Sequence, residues 1–219
     1  MAKKLLEISL NKLRIEENGE VTRREGRNVL TASLIYPARG KRLVTTVKSL
    51  KLGDHQEVDF VGGKDPATGR RYTWADRILF KEEIVDHSLL VVQLTNVAVP
   101  AKLEKFLAGV FTTIFAGAWA AVSGGITNLV LATVMESAAS AHLESLKVDG
   151  ERLDVIGDGA LDLDVAALPA EAEIPLVVPC EVSVPRLVFG PNGKVKREER
   201  LVLAAGAENG SVTLQIRVL

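Results

Sequence analysis

The chain cannot form an internal disulfide, because Cys180 is its only cysteine. Aromatic residues make up only 5% of the sequence, which argues against a stacking platform for single-stranded nucleic acid. The formal net charge is -1, so no general field attracts nucleic acid or an anionic membrane. A lone thiol suits a reducing compartment, and Glu7 and Asn11 interrupt the amino terminus before a signal-peptide core forms. We therefore expect a cytoplasmic protein that does not bind nucleic acid.

One long stretch of the sequence has no charged side chain. Between Lys105 and Glu136 the sequence reads FLAGVFTTIFAGAWAAVSGGITNLVLATVM, with no ionisable side chain. An apolar surface of that size is not left in water. This neutral run, residues 106–135, must therefore be covered by the protein itself, by a partner or by lipid.

The sequence on either side of the neutral run predicts antiparallel β structure. Leu6, Ile8 and Leu10 alternate with polar residues, as in a half-buried strand. We predict strands before the run at 30–36, 42–52, 56–61, 77–85 and 89–97, and after it at 153–156, 161–165, 174–178 and 212–219. Asn-Gly pairs are typical of hairpin turns, so turns are expected at 17–19, 190–193 and 208–210.

The middle section, residues 100–146, predicts a helical hairpin. Pro100 stands where a helix often begins, and apolar residues recur at helical spacing on two neighbouring faces. Ser123-Gly124-Gly125 divides the section into two helices. A helix that is apolar around most of its circumference is expected to be buried in protein or in lipid. The residues expected to make the buried contacts are Leu107, Phe111, Ile114, Phe115, Trp119, Val122, Leu129 and Val130.

A membrane-inserting hairpin is the alternative to one packed in protein. A continuous helix of about thirty residues would be roughly 45 Å long, against the roughly 30 Å of hydrocarbon in a bilayer. Division at Gly124-Gly125 leaves about eighteen uncharged residues in the first helix and about ten in the second, of which only the first reaches the lower limit for a span. We therefore favour a hairpin that packs on a sheet or on copies of itself.

A short part of the chain resembles the central stretch of a C2-type β-sandwich. Trp74-Ala75-Asp76-Arg77-Ile78-Leu79-Phe80 is followed after a turn by Leu90-Val91-Val92-Gln93-Leu94-Thr95-Asn96, similar to the tryptophan and paired strands of that family. The resemblance implies a sandwich fold, with Trp74 and Phe80 as large core residues. Asn96 and Ala98 stand where calcium-binding members have aspartates, so calcium-dependent lipid binding is not implied. We predict one domain over 1–219, an antiparallel β-sandwich with a helical hairpin inserted at 100–146, although two separate domains remain possible.

No pattern of reactive residues predicts catalysis, a cofactor or a metal. His55, His87 and His142 have no metal-ligand spacing. Asp158, Asp162 and Asp164 are similar to a calcium loop but match neither the EF-hand nor the nonapeptide repeat. The nearest approach to an acid–base cluster is Asp54, His55 and Asp59, for which sequence shows no geometry.

The expected function is therefore non-enzymatic. We predict a structural or protein-interaction module that uses the apolar hairpin for packing or self-assembly, with a homo-oligomer or another protein as its partner. A membrane-active protein that inserts the hairpin into lipid is the alternative. An enzyme with a site assembled from distant residues is the third hypothesis.

Overall fold

The computed structural model describes residues 3–19, 26–36, 42–85, 87–97, 153–189 and 195–219. Strands make up 70% and helix 3% of this part of the chain. The strands are β1 Lys3–Ile15, β2 Gly26–Tyr36, β3 Arg42–Leu52, β4 Gln56–Asp59, β5 Ile78–Val85, β6 His87–Val97, β7 Leu153–Asp164, β8 Glu171–Val177, β9 Val182–Phe189, β10 Val195–Leu203 and β11 Glu208–Val218. The helix, α1, is the single turn Trp74–Arg77.

Nine strands form one antiparallel sheet in the order β3-β2-β6-β7-β8-β11-β1-β4, with β5 also paired to β1. Strand β1 pairs with β11 along one edge, as in Leu6 with Val218. Along its other edge it pairs with β5 from Lys3 to Ser9 and with β4 from Lys12 to Ile15. The first and last strands of the chain are therefore neighbours, and strands from both sides of the neutral run share one sheet.

The sheet curls until its two ends almost meet, which makes it barrel-like. Strand β3 is at one end of the strand order and β5 is paired at the other. The hydroxyl of Thr46 in β3 donates a hydrogen bond of 2.6 Å to the carbonyl oxygen of Leu79 in β5. We call this meeting of β3 and β5 the seam. The side chain of Thr46 bridges the seam at this position. The backbone ladders join β3 to β2 and β5 to β1.

The inside of the curled sheet is filled by the apolar side of each strand. In β1 the buried apolar side chains are first Leu6, Ile8 and Leu10, and then Leu13 and Ile15. The change from even to odd numbers occurs at a bulge between Leu10 and Lys12. One extra residue in a strand reverses which side chains face the core. The bulge therefore keeps the leucines and isoleucines of the whole strand inside.

Strand β8 crosses close to β7 on the inner side of the sheet. A Cβ atom on Gly159 of β7 would clash with the carbonyl oxygen of Pro175 in β8, and one on Gly157 would crowd the Cβ of Leu176. Because glycine has no side chain, the two backbones can approach this closely. Ile174 and Leu176 of β8 then join the central core.

The segment after β1 covers one end of the curled sheet. Asn18 donates its side-chain amide to the carbonyl oxygen of Leu52, at the end of β3, over 3.1 Å. Asn209 of β11 donates its side-chain amide to Ile156 O of β7 over 2.8 Å and to Glu17 O over 2.9 Å. Both asparagines are buried. These hydrogen bonds join the ends of strands that are far apart in sequence.

The predicted C2-like β-sandwich is wrong. A sandwich consists of two sheets packed face to face, whereas here one sheet nearly closes on itself, and β9 and β10 form a separate pair. Strands β5 and β6, which carry the C2 resemblance, follow each other in sequence but pair with different partners: β5 with β1, and β6 with β2 and β7. Alternating apolar residues predict strands equally well for both architectures, so the pattern did not distinguish them.

The predicted fold class, mainly β with an inserted helical hairpin, is also wrong. The structure is nearly all β, and the described residues contain no helical hairpin. The segment 100–146, for which the hairpin was predicted, lies outside these residues. The helical spacing of apolar residues within one segment contains no information about what the segment packs against. It therefore did not establish an inserted helical hairpin.

Candidate interaction surface

The neutral run is inserted between two paired strands. The β6–β7 ladder extends to the pair Val97 and Leu153, and residues in such a pair lie about 5 Å apart at their Cα atoms. The chain between them, residues 98–152, therefore starts and ends at one place on the sheet. The predicted contact residues all lie in this segment, outside the described residues: Leu107, Phe111, Ile114, Phe115, Trp119, Val122, Leu129 and Val130.

Strands β2 and β6 are buried on both of their faces. Their inner side chains, which belong to the central core, are Leu30, Ala32, Leu34, Leu90, Val92 and Leu94. The opposite side chains are also no more than 8% exposed, and these are Val29, Thr31, Ser33, Ile35, Leu89, Val91, Gln93 and Thr95. We call this second set the outer face. A sheet with one face in water shows a clean alternation of buried and exposed residues, so the outer face is not a solvated one.

The outer face has no charged side chain but includes a polar band. Thr31 is paired with Gln93, and Val29 with Thr95, in the β2–β6 ladder. The hydroxyls of Thr31 and Thr95 and the amide oxygen of Gln93 are buried and make no hydrogen bond to the described residues. A buried polar atom left without a partner costs about 1–3 kcal/mol. A surface that covers this face must therefore supply polar groups as well as apolar ones.

Asp158 extends the polar band onto β7, where it is paired with Gln93. It is partly buried, and burial raises the pKa of its carboxyl to about 6. Burial, and then the charge of Asp158, also raise the pKa of the Cys180 thiol. The thiol is therefore held in its protonated form, which is the poorer nucleophile.

The other two aspartates of the segment compared with a calcium loop, Asp162 and Asp164, do not form a common site with Asp158. Asp162 is exposed, and Asp164 accepts a hydrogen bond of 2.8 Å from the backbone N–H of Ala166. Acidic residues at alternate positions of a strand lie on one side of it. No group of three histidine, cysteine, aspartate or glutamate residues placed to hold a metal occurs in the part of the chain that the structure describes.

The candidate acid–base residues Asp54, His55 and Asp59 each hydrogen-bond to a different partner. The Oδ1 atom of Asp54 accepts the backbone N–H of Asn18 over 2.9 Å, and that of Asp59 accepts the N–H of Val61 over 2.8 Å. His55 Nδ1 lies 3.0 Å from the carboxylate of Glu16, and this hydrogen bond raises the pKa of the imidazole. Glu16 is thus the partner of His55, and no sequence spacing indicated it. His87 lies in β6, and His142 lies outside the described residues.

Trp74 was predicted to be a core residue, and this is wrong. Its side chain is 40% exposed, whereas Phe80 is 3% exposed and lies in the core. The guanidinium carbons of Arg77 and Arg217 lie 5.1 Å and 5.3 Å from the centroid of the Trp74 ring. Arginine near an aromatic face is attracted by the ring. An exposed cation–π cluster therefore replaces the expected core contact.

Arg77 also holds the bulge of β1. Its Nε donates to the carbonyl oxygen of Leu10 over 3.1 Å, and one of its terminal nitrogens donates to the side chain of Asn11 over 2.7 Å. Asp76, its neighbour in α1, forms a bidentate pair with Arg70 at 2.8 Å and 3.0 Å. Hydrogen bonds from Arg70 and Thr73 hold the pKa of the Asp76 carboxyl well below its usual range. These contacts fix the loop before β5 to β1.

No protein-family model and no curated protein sequence matches this chain. Within the described residues there is no helix with the length and apolar character needed to cross a bilayer.

Proposed function

We propose that this protein is a non-enzymatic structural or protein-interaction module that self-associates through the neutral run, residues 106–135. One observation carries the proposal: a stretch without ionisable side chains is inserted between two paired strands, β6 and β7, of a sheet with a filled core. Because Val97 and Leu153 are paired, the sheet holds both ends of the segment 98–152, which contains the run, at one place.

The size of the run supports an assembling role. An apolar surface larger than a few hundred Å² is rarely left exposed on a monomer, and a standard protein interface buries about 800 Å² on each partner. Aromatic side chains dominate the binding energy of such interfaces, and the run contains Phe106, Phe111, Phe115 and Trp119. A second copy of the chain offers the same uncharged surface and so is a suitable partner.

Sedimentation equilibrium of the full chain tests this function. The wild type is expected to form a defined oligomer, and the double substitution Phe115→Glu with Trp119→Glu is expected to weaken its association about a hundredfold, because buried aromatic anchors are replaced by charges. The matched control is Val61→Glu, which places a charge at a position on the loop after β4 that is 57% exposed. A wild-type chain that stays monomeric at millimolar concentration would refute self-association.

The same neutral run favours one second candidate, a membrane-active protein. Small residues at Ala108, Gly109, Gly117 and Ala118 permit close helix contacts in lipid as well as in protein. Flotation of the wild type with vesicles of neutral and of anionic lipids distinguishes the two. A monomer in solution that floats with vesicles, and loses this property with Phe115→Glu and Trp119→Glu, would replace the self-association proposal with the membrane one.

A further inference from the structure

The outer face of β2 and β6 is buried within a single copy of the chain, although the strands that pair with β2 and β6 do not lie over it. Within the sheet, β2 and β6 are flanked by β3 and β7, which lie beside them and not on top of them. Strand β5 approaches from the inner side, where Thr46 of β3 reaches it, and β8 crosses on the inner side over Gly157 and Gly159. The pair β9–β10 makes its main approach to β7.

We propose that the outer face of β2 and β6 is a docking surface for residues 98–152 of the same chain. This inference concerns a contact inside one copy, and so it goes beyond self-association. The segment leaves the sheet at the end of β6 and returns at the start of β7, so it is tethered at both ends to the strands that border the outer face.

The dimensions of the face suit this occupant. The outer face covers seven consecutive positions of each strand, 29–35 of β2 and 89–95 of β6, which is about 23 Å at roughly 3.3 Å per residue. Residues 98–152 form the longest stretch outside the described residues. The remaining stretches, at 20–25, 37–41 and 190–194 among others, are too short to cover a face of that length.

The chemistry of the two surfaces is complementary. The outer face has no charge, and neither has the neutral run, so burial of one against the other desolvates no ion. The polar band needs partners for Thr31, Gln93 and Thr95. Within the run, Thr112, Thr113, Thr127 and Asn128 carry side chains that can hydrogen-bond. Apolar contacts flanking such polar pairs are the composition of an ordinary protein interface.

Photo-cross-linking in the full chain tests the docking. A diazirine analogue of leucine is placed at Leu89, which is 4% exposed on the outer face, and in a control protein at Leu5, which is 40% exposed on β1. Strand β1 lies four places from β6 in the strand order, on the other side of the curled sheet. Mass spectrometry of a mixture of light and heavy isotope-labelled copies distinguishes links within one copy from links between two.

The expected result is a link from position 89 to a peptide of residues 98–152 within one copy, and no such link from position 5. Links from position 89 to a second copy, to described strands only, or to water alone would overturn the docking proposal. A link within one copy in a chain that stays monomeric would keep the docking surface and refute self-association. Links between copies alone would refute the docking surface and support self-association.

Limited proteolysis of Val91→Arg gives a second readout that does not depend on cross-linking. Because the substituted side chain faces away from the core, the sheet is expected to remain folded. Trypsin is expected to cleave at Lys102 and Lys105 about tenfold faster than in the wild type, since the segment is released from the face. Val177→Arg, at an outward position on β8 that is 37% exposed, is the control and is expected to leave the cleavage rate unchanged. Equal rates in the wild type and Val91→Arg would contradict docking.

Discussion

At the scale of single residues, burial of the Asp158 carboxyl makes the stability of the protein depend on pH. Its pKa is raised to about 6 by burial, above the ordinary value of 3.8, so the folded protein holds a proton that the unfolded chain has already released. The free energy of unfolding therefore falls as the pH rises from about 4 to about 6, and it stays reduced above that range. The ionised carboxylate costs roughly 3 kcal/mol of stability at neutral pH.

Replacement of Asp158 by asparagine is expected to remove this cost. Urea unfolding should show Asp158→Asn to be more stable than the wild type by about 2–3 kcal/mol near pH 7.5 and nearly equal to it near pH 4. Asp162→Asn removes an exposed carboxylate from the same strand and provides a control with the same change in charge. A gain of equal size at both pH values would show that burial of the Asp158 charge is not the cause.

The asparagines show how far a residue-level pattern can be used. The sequence predicted a hairpin turn at 208–210, but Asn209 and Gly210 lie inside β11, and the turn contains Gly206 at a φ of +78°. Gly210 has a φ of +130°, a backbone conformation that favours glycine. The Asn-Gly pair therefore indicated a position that requires glycine, but it did not indicate where the chain reverses direction. The hydrogen bonds of Asn209 reach Glu17 and Ile156, and partners so distant in sequence leave no local signal.

At the scale of elements, alternation predicted the strands well. The strand predicted at 42–52 coincides with β3, and the change of parity between Leu10 and Leu13 marks the bulge in β1. The two strands predicted at 153–156 and 161–165 are one strand, β7. The gap between the two predicted strands contains Gly157 and Gly159, which provide the space in which β8 crosses. A glycine in a strand can mark either a turn or a close approach, and sequence alone does not separate them.

The seam between β3 and β5 is expected to open more readily when its side-chain bridge is removed. Thr46→Val keeps the shape of the side chain and deletes the hydrogen bond to Leu79 O, at a cost of about 1 kcal/mol. Amide hydrogen exchange in β3 and β5 should become faster, while exchange in the β1–β11 ladder should change little. The matched control is Thr45→Val, which removes a hydroxyl that lies 3.1 Å from Ser33 within the β2–β3 ladder. Equal acceleration in all strands would instead indicate a global loss of stability.

At the scale of the whole molecule, the pattern of apolar residues did not predict how the strands assemble. Each strand buries at least one side whether it belongs to a sandwich or to a curled sheet. The closure depends on β1, which pairs with β11, β4 and β5 at once. These pairings bring Leu6 next to Val218, almost the full length of the chain away. Local periodicity contains no information about such partners, so the sandwich prediction failed although most of its strands were correct.

The charge distribution of the whole molecule predicts how self-association responds to salt. The net charge is -1, and the neutral run has no ionisable group, so an interface formed by the run gains little from ion pairs. Surface electrostatic attraction is screened within about 10 Å at 0.1 M salt, whereas apolar burial is strengthened by sulfate. The dissociation constant is therefore expected to change less than about threefold between 0.05 and 0.5 M sodium chloride, and to fall in sodium sulfate. Sedimentation equilibrium at matched protein concentrations measures both effects. An oligomer that dissociates in sodium chloride would show that charged loops, such as the one that carries Arg70 and Asp76, form the interface in place of the neutral run.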